Sequence, residues 1–425
     1  MSKTRRVMPV PEDNAPLNGM MILVWAFAWI ALVLDVMDWQ MVSVSSSLIL
    51  QEFGMSSAAM GYILGGPLLG AGIGGLISGI LSDKFGRVTV MVACLIWYSV
   101  FTVAFAWANS FASMVILRVL VGIGLGAQWG IGNTLVAESL PAKMRIMCSA
   151  VIQTGFAFGP IVASQCARVI LPNYGWRPLF YVGAIGFVLA IFAKFVIPET
   201  EMWVKSKEQS KATGTKLGDV KFLFSKEIHA RTGTSLRRNT IGVLCLVLFT
   251  LLGYWSAMSW IPNWLVAERG MDIIRSMNYI TLLNVGGIFG FLVFAFIADR
   301  WGRKMPAYVA LVASFVTMIV FVNITEPSKM LMFAPVYAFV TYPIFGLYGG
   351  YMSELFPTEV RATGVNGIYN FSRMCSFFGP SILGGIAATT SFTFAIGSSA
   401  FLYLVALVPL FFLPETIRKK KPGRL

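Results

Sequence analysis

The sequence contains few charged residues: Asp, Glu, Lys and Arg make up 12% of its 425 positions, whereas 57% are hydrophobic. A soluble domain needs about twice that share of charge to cover its surface. Runs of roughly twenty apolar residues recur along the whole chain, and each is long enough to cross about 30 Å of hydrocarbon. The scarcity of charge therefore excludes a soluble globular protein and indicates a polytopic membrane protein.

The sequence is also poor in residues that ligate metals or form catalytic pairs. Its single histidine, His229, lies in a basic stretch, and none of the five cysteines belongs to a C-x-x-C pair. This pattern favours neither a zinc site nor a disulfide framework, and it leaves no nucleophile–base pair. The glycine run at 70–75 follows no predicted strand, so it indicates close helix packing rather than nucleotide binding. We therefore expect no enzymatic activity, no metal, no cofactor and no use of ATP.

Basic residues, by contrast, are in excess: 33 Lys and Arg stand against 19 Asp and Glu, which gives a net charge of +14. In a soluble chain this excess would indicate a nucleic-acid partner. Here the basic residues fall between apolar runs and on one side of the predicted bilayer, as the positive-inside rule describes. We therefore predict a multi-pass inner (plasma) membrane protein with both termini cytoplasmic and no nucleic-acid partner. The predicted spans are 20–43, 57–80, 88–108, 112–137, 147–171, 177–197, 241–265, 277–298, 306–324, 330–353, 363–388 and 391–413.

Three short motifs occur twice, each time 216 positions apart: GILSDKFGR (79–87) with AFIADRWGR (295–303), ESLPAKMR (138–145) with ELFPTEVR (354–361), and IPET (197–200) with LPET (413–416). Because unrelated motifs share one offset, the chain consists of two homologous halves. The predicted fold is an all-α membrane protein with twelve transmembrane helices in two pseudo-symmetric six-helix bundles. The predicted boundaries are 1–197 for the first half, 198–240 for a basic cytoplasmic linker, and 241–425 for the second half with its basic tail.

Four charged residues lie clearly within the predicted spans: Asp35, Asp38, Arg118 and Arg373. Charged side chains inside a membrane are costly and usually functional. At about 1.5 Å per residue, the two aspartates lie roughly 22 and 27 Å from the cytoplasmic start of the first span, in the outer half of the bilayer. Arg373 is roughly 15 Å into its span, near the midplane. The spacing of the aspartates places both on one helical face, where crowding favours retention of a proton by one of them.

These charges predict a coupling between a proton and an anion. A guanidinium binds both oxygens of a carboxylate, so Arg373 is the predicted ligand of an anionic substrate. Two aspartates and two arginines cancel, and an anion therefore enters at little cost only if a proton enters with it. The alternative is that one aspartate forms a static ion pair with Arg118 that merely holds two helices together.

Several motifs in combination resemble the major facilitator superfamily over nearly the whole chain. They are G-x-x-x-D-[KR]-x-G-R after the second and eighth spans, P-E-T at the end of each half, and R-x-x-x-G-x-G-x-G from Arg118 to Gly126. The resemblance implies alternating access by rocking of the two halves, and a charged network at cytoplasmic helix ends that stabilises the outward-open state. Simple anchoring of orientation by basic loop residues is the alternative for this network. The residues assigned to the conformational gate are Gly79, Asp83, Gly86, Arg87, Glu138, Arg145, Asp299, Gly302, Arg303, Glu354 and Arg361.

A narrower resemblance links the chain to organic acid:proton symporters of the aromatic-acid, sialate and lactate types. It rests on Asp35 and Asp38, on GAQWG at 126–130 and on Arg373, although the first motif reads D-V-M-D where these groups have D-G-aromatic-D or D-A-aromatic-D. The resemblance implies proton-coupled uptake of an aromatic acid, sugar acid or monocarboxylate. Gly155, Gly159 and Pro160 also resemble part of a drug/proton antiporter motif, so proton-driven efflux of a drug or metabolite is the alternative.

The expected partners are protons, a small organic anion and the lipid bilayer, and we expect a monomer. Aromatic and amide side chains within the spans are candidate walls of the substrate pocket. The aromatic ones can equally be packing or interfacial residues, and the amides can join helices by hydrogen bonds. The predicted substrate-binding residues are Arg373, Arg118, Gln128, Trp129, Asn133, Tyr254, Trp255, Asn284 and Asn370.

Overall fold

A computed structural model describes residues 7–9, 11–12, 16–141, 144, 148, 151–205, 235–356 and 358–416, without the side chains of 129, 133, 137, 299 and 358–363. The first half contains β1 (Val7–Met8), α1 (Gly19–Phe53), α2 (Ser57–Phe85), α3 (Arg87–Phe105), α4 (Phe111–Ser139), α5 (Gly155–Tyr174), a 3-10 helix (Arg177–Gly183), α6 (Ala184–Val196) and β2 (Glu199–Thr200). The two short strands pair in parallel.

The second half repeats this order of helices, three of which are interrupted. It contains α7 (Leu236–Ala267), α8 (Ile273–Trp301), α9 (Lys304–Asn323), α10a (Pro327–Thr341), α10b (Pro343–Leu355), α11a (Thr358–Cys375), α11b (Phe378–Thr389), α12a (Phe392–Ser399) and α12b (Phe401–Phe412). Eleven stretches of the described chain are long and apolar enough to cross a membrane. The twelfth crossing is α11, which is less apolar because α11a carries three charged residues and two asparagines: Glu359, Arg361, Arg373, Asn366 and Asn370.

Polar residues at the helix starts explain why the chain turns where it does. Asn18 accepts a hydrogen bond from the Met21 N–H, and Asp272 accepts one from the Arg275 N–H. Such caps satisfy N–H groups that have no partner within the first turn of a helix. Most predicted spans match the observed helices to within about five residues.

The main difference among the described residues is α1, which continues ten residues beyond the predicted end at 43 and stops at Phe53, before Gly54. The predicted start of the fifth span, at 147, lies outside the described residues. The run of serines after Met41 ends the apolar pattern, but Ser45 and Ser46 donate their hydroxyl protons to carbonyls of α1 itself. These side chains are thus satisfied inside the helix. Asp35 lies 16 residues after Gly19 and 18 before Phe53. Both aspartates therefore lie near the middle of this longer helix, and their placement in the outer half of the bilayer stays a prediction.

The two halves meet along α1 with α7, α2 with α11, and α5 with α8. We call the end of the bundle that carries Arg87 and Arg303 the basic end, and the end with loops 54–56 and 268–272 the far end. Close packing of α2 on α11 requires glycine, because a Cβ at Gly61 would lie 2.3 Å from the Ser381 Cα. Small residues permit this approach of helix backbones.

Hydrogen bonds between side chains of one half and the other half lie in the far part of the bundle, as far as the described residues show. They are Ser43 Oγ to the Ser259 carbonyl (2.6 Å), Ser381 Oγ to the Ala58 carbonyl (3.0 Å) and Gln165 Nε2 to Thr281 Oγ1 (2.7 Å). The ion pairs that the structure describes at the basic end, of Arg87 and of Arg303, each stay within one half. The described hydrogen bonds that join the halves thus lie toward the far end.

Candidate functional site

Asp38 and Arg118 form a buried ion pair inside the first half. Arg118 Nη1 lies 2.8 Å from Asp38 Oδ2, and both side chains are 1% exposed. Thr102 Oγ1 donates to the other carboxylate oxygen at 2.5 Å. The pair joins α1, α3 and α4 and compensates both charges away from water. The geometry favours the static ion pair for Arg118, and the described cavity wall does not include this arginine.

Asp35 and Arg373 are a second opposite-charged couple, but they are not in contact. Asp35 is 3% exposed and Arg373 is 6% exposed. Their charges interact, yet no salt bridge within 4.0 Å joins them, and neither has another ion-pair partner in the described part of the chain. The guanidinium instead lies 5.0 Å from the ring centre of Trp39, a residue of the cavity wall. Arg373 therefore keeps hydrogen-bonding capacity for an anion.

A cavity lies between the halves, with walls from α1, α2, α5, α7, α8 and the junction of α10a and α10b. About 40 Å³ of it is open to the centre of a water molecule. That space holds about three waters. An organic acid therefore needs the walls to separate before it can enter.

Trp39 and Trp255 form the aromatic centre of this cavity, with ring centres 3.9 Å apart and planes inclined by 64°. The two residues are 216 positions apart, as are Ser43 and Ser259, whose contact joins the same two helices. Equivalent residues of two repeats touch each other only close to the axis that relates them. The cavity therefore lies on the pseudo-twofold axis of the protein.

The wall from the second half is aromatic and hydroxyl-rich. Tyr342 Oη donates to Asn284 Oδ1 at 2.7 Å, and the Asn284 amide donates to the Ile280 carbonyl at 2.7 Å. Tyr254 packs edge-on against both Trp255 and Tyr342, with ring centres 5.1 and 5.7 Å apart. These rings present apolar faces and polar edges, which suits a planar ligand with polar substituents.

The predicted substrate-binding residues are thus divided by the structure. Tyr254, Trp255 and Asn284 line the cavity, whereas Arg373 is not part of its described wall and contacts the ring of the wall residue Trp39. Gln128 does not line it, since its amide donates to the Met91 carbonyl. Asn370 is absent from the described wall as well, because it donates to the Asn366 carbonyl and packs beside α2. The side chains of Trp129 and Asn133 lie outside the described residues.

Sequence reasoning missed most residues of the wall, among them Trp39, Gln40 and Tyr342. For Trp39 a signal was present, since it follows Asp38 directly and stands 216 positions before Trp255. Tyr342 carried no such signal. It reaches the cavity because α10 breaks at this residue, before Pro343.

The predicted gate residues of the first half form a cluster at the basic end. Arg87 forms an ion pair with Asp83, one helical turn earlier. Its Nε also lies 3.3 Å from Oε1 of Glu138 in α4. Glu199, which was not predicted, accepts hydrogen bonds from the Val88 and Thr89 N–H groups at 3.2 and 2.9 Å. The glutamate of the first P-E-T motif is therefore the N-terminal cap of α3.

The second half repeats this cluster. Arg303 Nη2 lies 3.0 Å from Glu354 Oε1, and Glu415 accepts from the Arg303 and Lys304 N–H groups at 2.9 and 3.0 Å. Gly302, like its counterpart Gly86, adopts positive φ beside the capping carboxylate, where a Cβ would collide with it. Gly79 also lies at this end, on α2. The side chains of Arg145, Asp299 and Arg361 lie outside the described residues.

Comparison with known proteins agrees with this architecture. The family model of the Major Facilitator Superfamily matches residues 28–378. The chain belongs to this family, and it is a membrane transporter rather than an enzyme. The xylose transporter XylE from E. coli, in a partially occluded inward open conformation, shares the fold at a TM-score of 0.72 and 18% identity, over 95% of this chain and 100% of that one. The predicted fold class is thereby confirmed.

Two curated relatives align over nearly their whole length. A cis,cis-muconate transport protein of Acinetobacter baylyi is 31% identical over 400 residues, which cover 92% of this chain and 94% of that protein. A putative metabolite transport protein of Haemophilus influenzae is 29% identical over 398 residues, which cover 92% of this chain and 97% of that protein. Similarity of this extent supports the resemblance to organic-acid carriers that the motifs indicate.

Proposed function

We propose that the protein takes up a small organic carboxylate together with a proton by alternating access. The observation that carries the proposal is the buried Arg373, which has no carboxylate within 4.0 Å among the described residues. A charge inside a membrane is costly unless it has a function or a partner. A carboxylate substrate supplies a partner with matching geometry.

Proton coupling follows from the charges around that arginine. The Asp38–Arg118 pair is neutral by itself, so the remaining charges are those of Asp35 and Arg373. A substrate carboxylate bound at Arg373 leaves one negative charge in excess. Protonation of Asp35 removes this excess, and the loaded site is neutral again. Asp35 is therefore the proposed proton carrier, and Asp38 holds the structure around it.

The walls of the cavity support a planar, conjugated or aromatic acid as substrate. Trp39 and Trp255 offer ring faces on the axis, and Tyr342 with Asn284 offers polar edges. The relative from Acinetobacter baylyi carries the name of a conjugated dicarboxylate, cis,cis-muconate. Such acids are the first substrates to test.

The orientation of the chain completes the proposal. Basic residues concentrate at the basic end, so this end faces the cytoplasm and the protein lies in the inner (plasma) membrane with both termini cytoplasmic. The halves are joined at the far end, which makes the described state closed to the outside. A monomer contains both halves and the whole cavity, so it is the proposed functional unit.

Uptake by proteoliposomes tests the proposal. A panel of labelled acids, with cis,cis-muconate and hydroxybenzoates first, is offered with and without an inward proton gradient. We expect one class of acid to accumulate only when the outside is acidic. Arg373→Ala and Arg373→Lys should lose this uptake, because neither retains the two-pronged donor. Arg275→Gln, which removes an exposed arginine at the far end, is the matched control.

Two outcomes would overturn the proposal. Wild-type uptake by both Arg373 variants would remove the arginine from substrate binding. Extrusion of unrelated compounds driven by a proton gradient, without uptake of any acid, would instead identify an efflux antiporter.

A further inference from the structure

A second groove lies on the outer surface of the second half, between α7 and α12b at the basic end. Its volume is about 600 Å³. The walls are apolar, and several of their side chains are exposed, among them Ile241 (47%), Val408 (60%) and Phe412 (63%). Side chains of this kind on the outer face of a membrane bundle lie against lipid. The groove is therefore separate from the central cavity and opens to the bilayer.

Two adjacent arginines, Arg237 and Arg238, stand at the mouth of the groove in the first turn of α7. Both are exposed, and neither forms an ion pair in the described part of the chain. Lys304 is close enough to Arg238 for their charges to repel, while its ammonium group donates to the Leu413 carbonyl at the end of α12b. The negative charge of Glu415 attracts Lys304, but this carboxylate already accepts hydrogen bonds from N–H groups at the start of α9. The mouth therefore carries positive charge in excess.

The repeat does not account for these arginines. At the positions 216 residues earlier, the first half has Met21 and Ile22. The pair of cations thus belongs to the second half alone. Two positive charges at a helix N-terminus are also repelled by the positive end of the helix dipole, so the pair is unfavourable without an anion nearby.

We propose that this groove binds one anionic phospholipid of the leaflet at the basic end. The phosphate lies on Arg237 and Arg238, and an acyl chain follows the apolar wall toward Phe249. Basic pockets between transmembrane helices are known to hold anionic head groups. A zwitterionic lipid brings its own cation to the same arginines and therefore binds less well.

Native mass spectrometry of the full-length, delipidated protein tests the proposal. The protein is offered equimolar dioleoyl phosphatidylglycerol and dioleoyl phosphatidylcholine. We expect one phosphatidylglycerol to be retained, with a preference of about fivefold per arginine that decreases as salt is raised. The variant R237Q/R238Q should lose the preference. Lys84→Gln with Arg300→Gln removes two exposed cations of the same end away from the groove and should retain it.

A further variant and a competitor separate the lipid from a free anion. Cys245→Trp fills the groove but keeps both arginines, so it should reduce phosphatidylglycerol binding. Inorganic phosphate at the same concentration should not displace the lipid. Equal retention of both lipids, equal losses in the two double variants, full binding by Cys245→Trp or displacement by phosphate would each overturn the proposal.

Discussion

Replacement of Asp38 by Asn probes the ion pair at the centre of the first half. The substitution leaves the Arg118 guanidinium, which is 1% exposed, without its carboxylate. Removal of one partner of a buried pair costs about 3–5 kcal/mol, because the other charge remains in a low-dielectric environment. Asp35 forms no salt bridge within the described structure, so Asp35→Asn should cost less than about 1 kcal/mol.

The measurement is thermal unfolding of the purified proteins in detergent, followed by tryptophan fluorescence. At roughly 2 °C per kcal/mol for a chain of this size, Asp38→Asn should lower the Tm by about 6–10 °C and Asp35→Asn by less than about 2 °C. The double variant Asp38→Asn with Arg118→Gln removes both charges and should recover at least half of the loss. Equal losses in the two single variants, or no recovery in the double variant, would refute the reasoning.

Three further predictions address the cavity, a helix cap and the proton. Trp39→Ala should reduce uptake of an aromatic acid by about tenfold through lost ring contacts, whereas Trp107→Ala at the surface leaves proteoliposome uptake unchanged. Gly302→Ala should lower the unfolding free energy by about 2 kcal/mol more than Gly270→Ala in thermal unfolding, since both glycines have positive φ but only Gly302 meets a carboxylate. Asp35→Asn should abolish the stimulation of uptake by external acid, measured against wild type in the same vesicles.

The larger features of the fold follow from periodicity and repetition. Twelve apolar runs and one constant offset of 216 predict two halves, because hydrocarbon thickness fixes the length of a span. The offset also predicts that Arg87 with Glu138 has a counterpart in Arg303 with Glu354, and both ion pairs are present. Local sequence pattern is sufficient here, since the same spacing gives the same contact twice.

Contacts between helices distant in sequence could not be predicted in this way. The pairing of Arg118 with Asp38 rather than with a ligand depends on how α4 packs on α1. The P-E-T motif marked the family, but the capping role of Glu199 depends on where the chain after α6 passes the start of α3. The apolar pattern ends before α1 does, because serine hydroxyls inside a helix can donate hydrogen bonds to carbonyls of that same helix.

The contact of Trp39 with Trp255 has a consequence for how a ligand is oriented. Two identical six-helix halves related by a twofold axis would make this same contact. The tryptophan pair by itself therefore does not distinguish one orientation of a ligand from the opposite one. Direction comes from the charges, which the repeat does not share: the positions equivalent to Asp35, Asp38 and Arg373 hold Leu251, Tyr254 and Ala157. Under the proposed function, a carboxylate bound between the tryptophans therefore turns its acidic group toward the side that carries Arg373. The position of its charge, more than the shape of the cavity, would then set the orientation of the bound substrate.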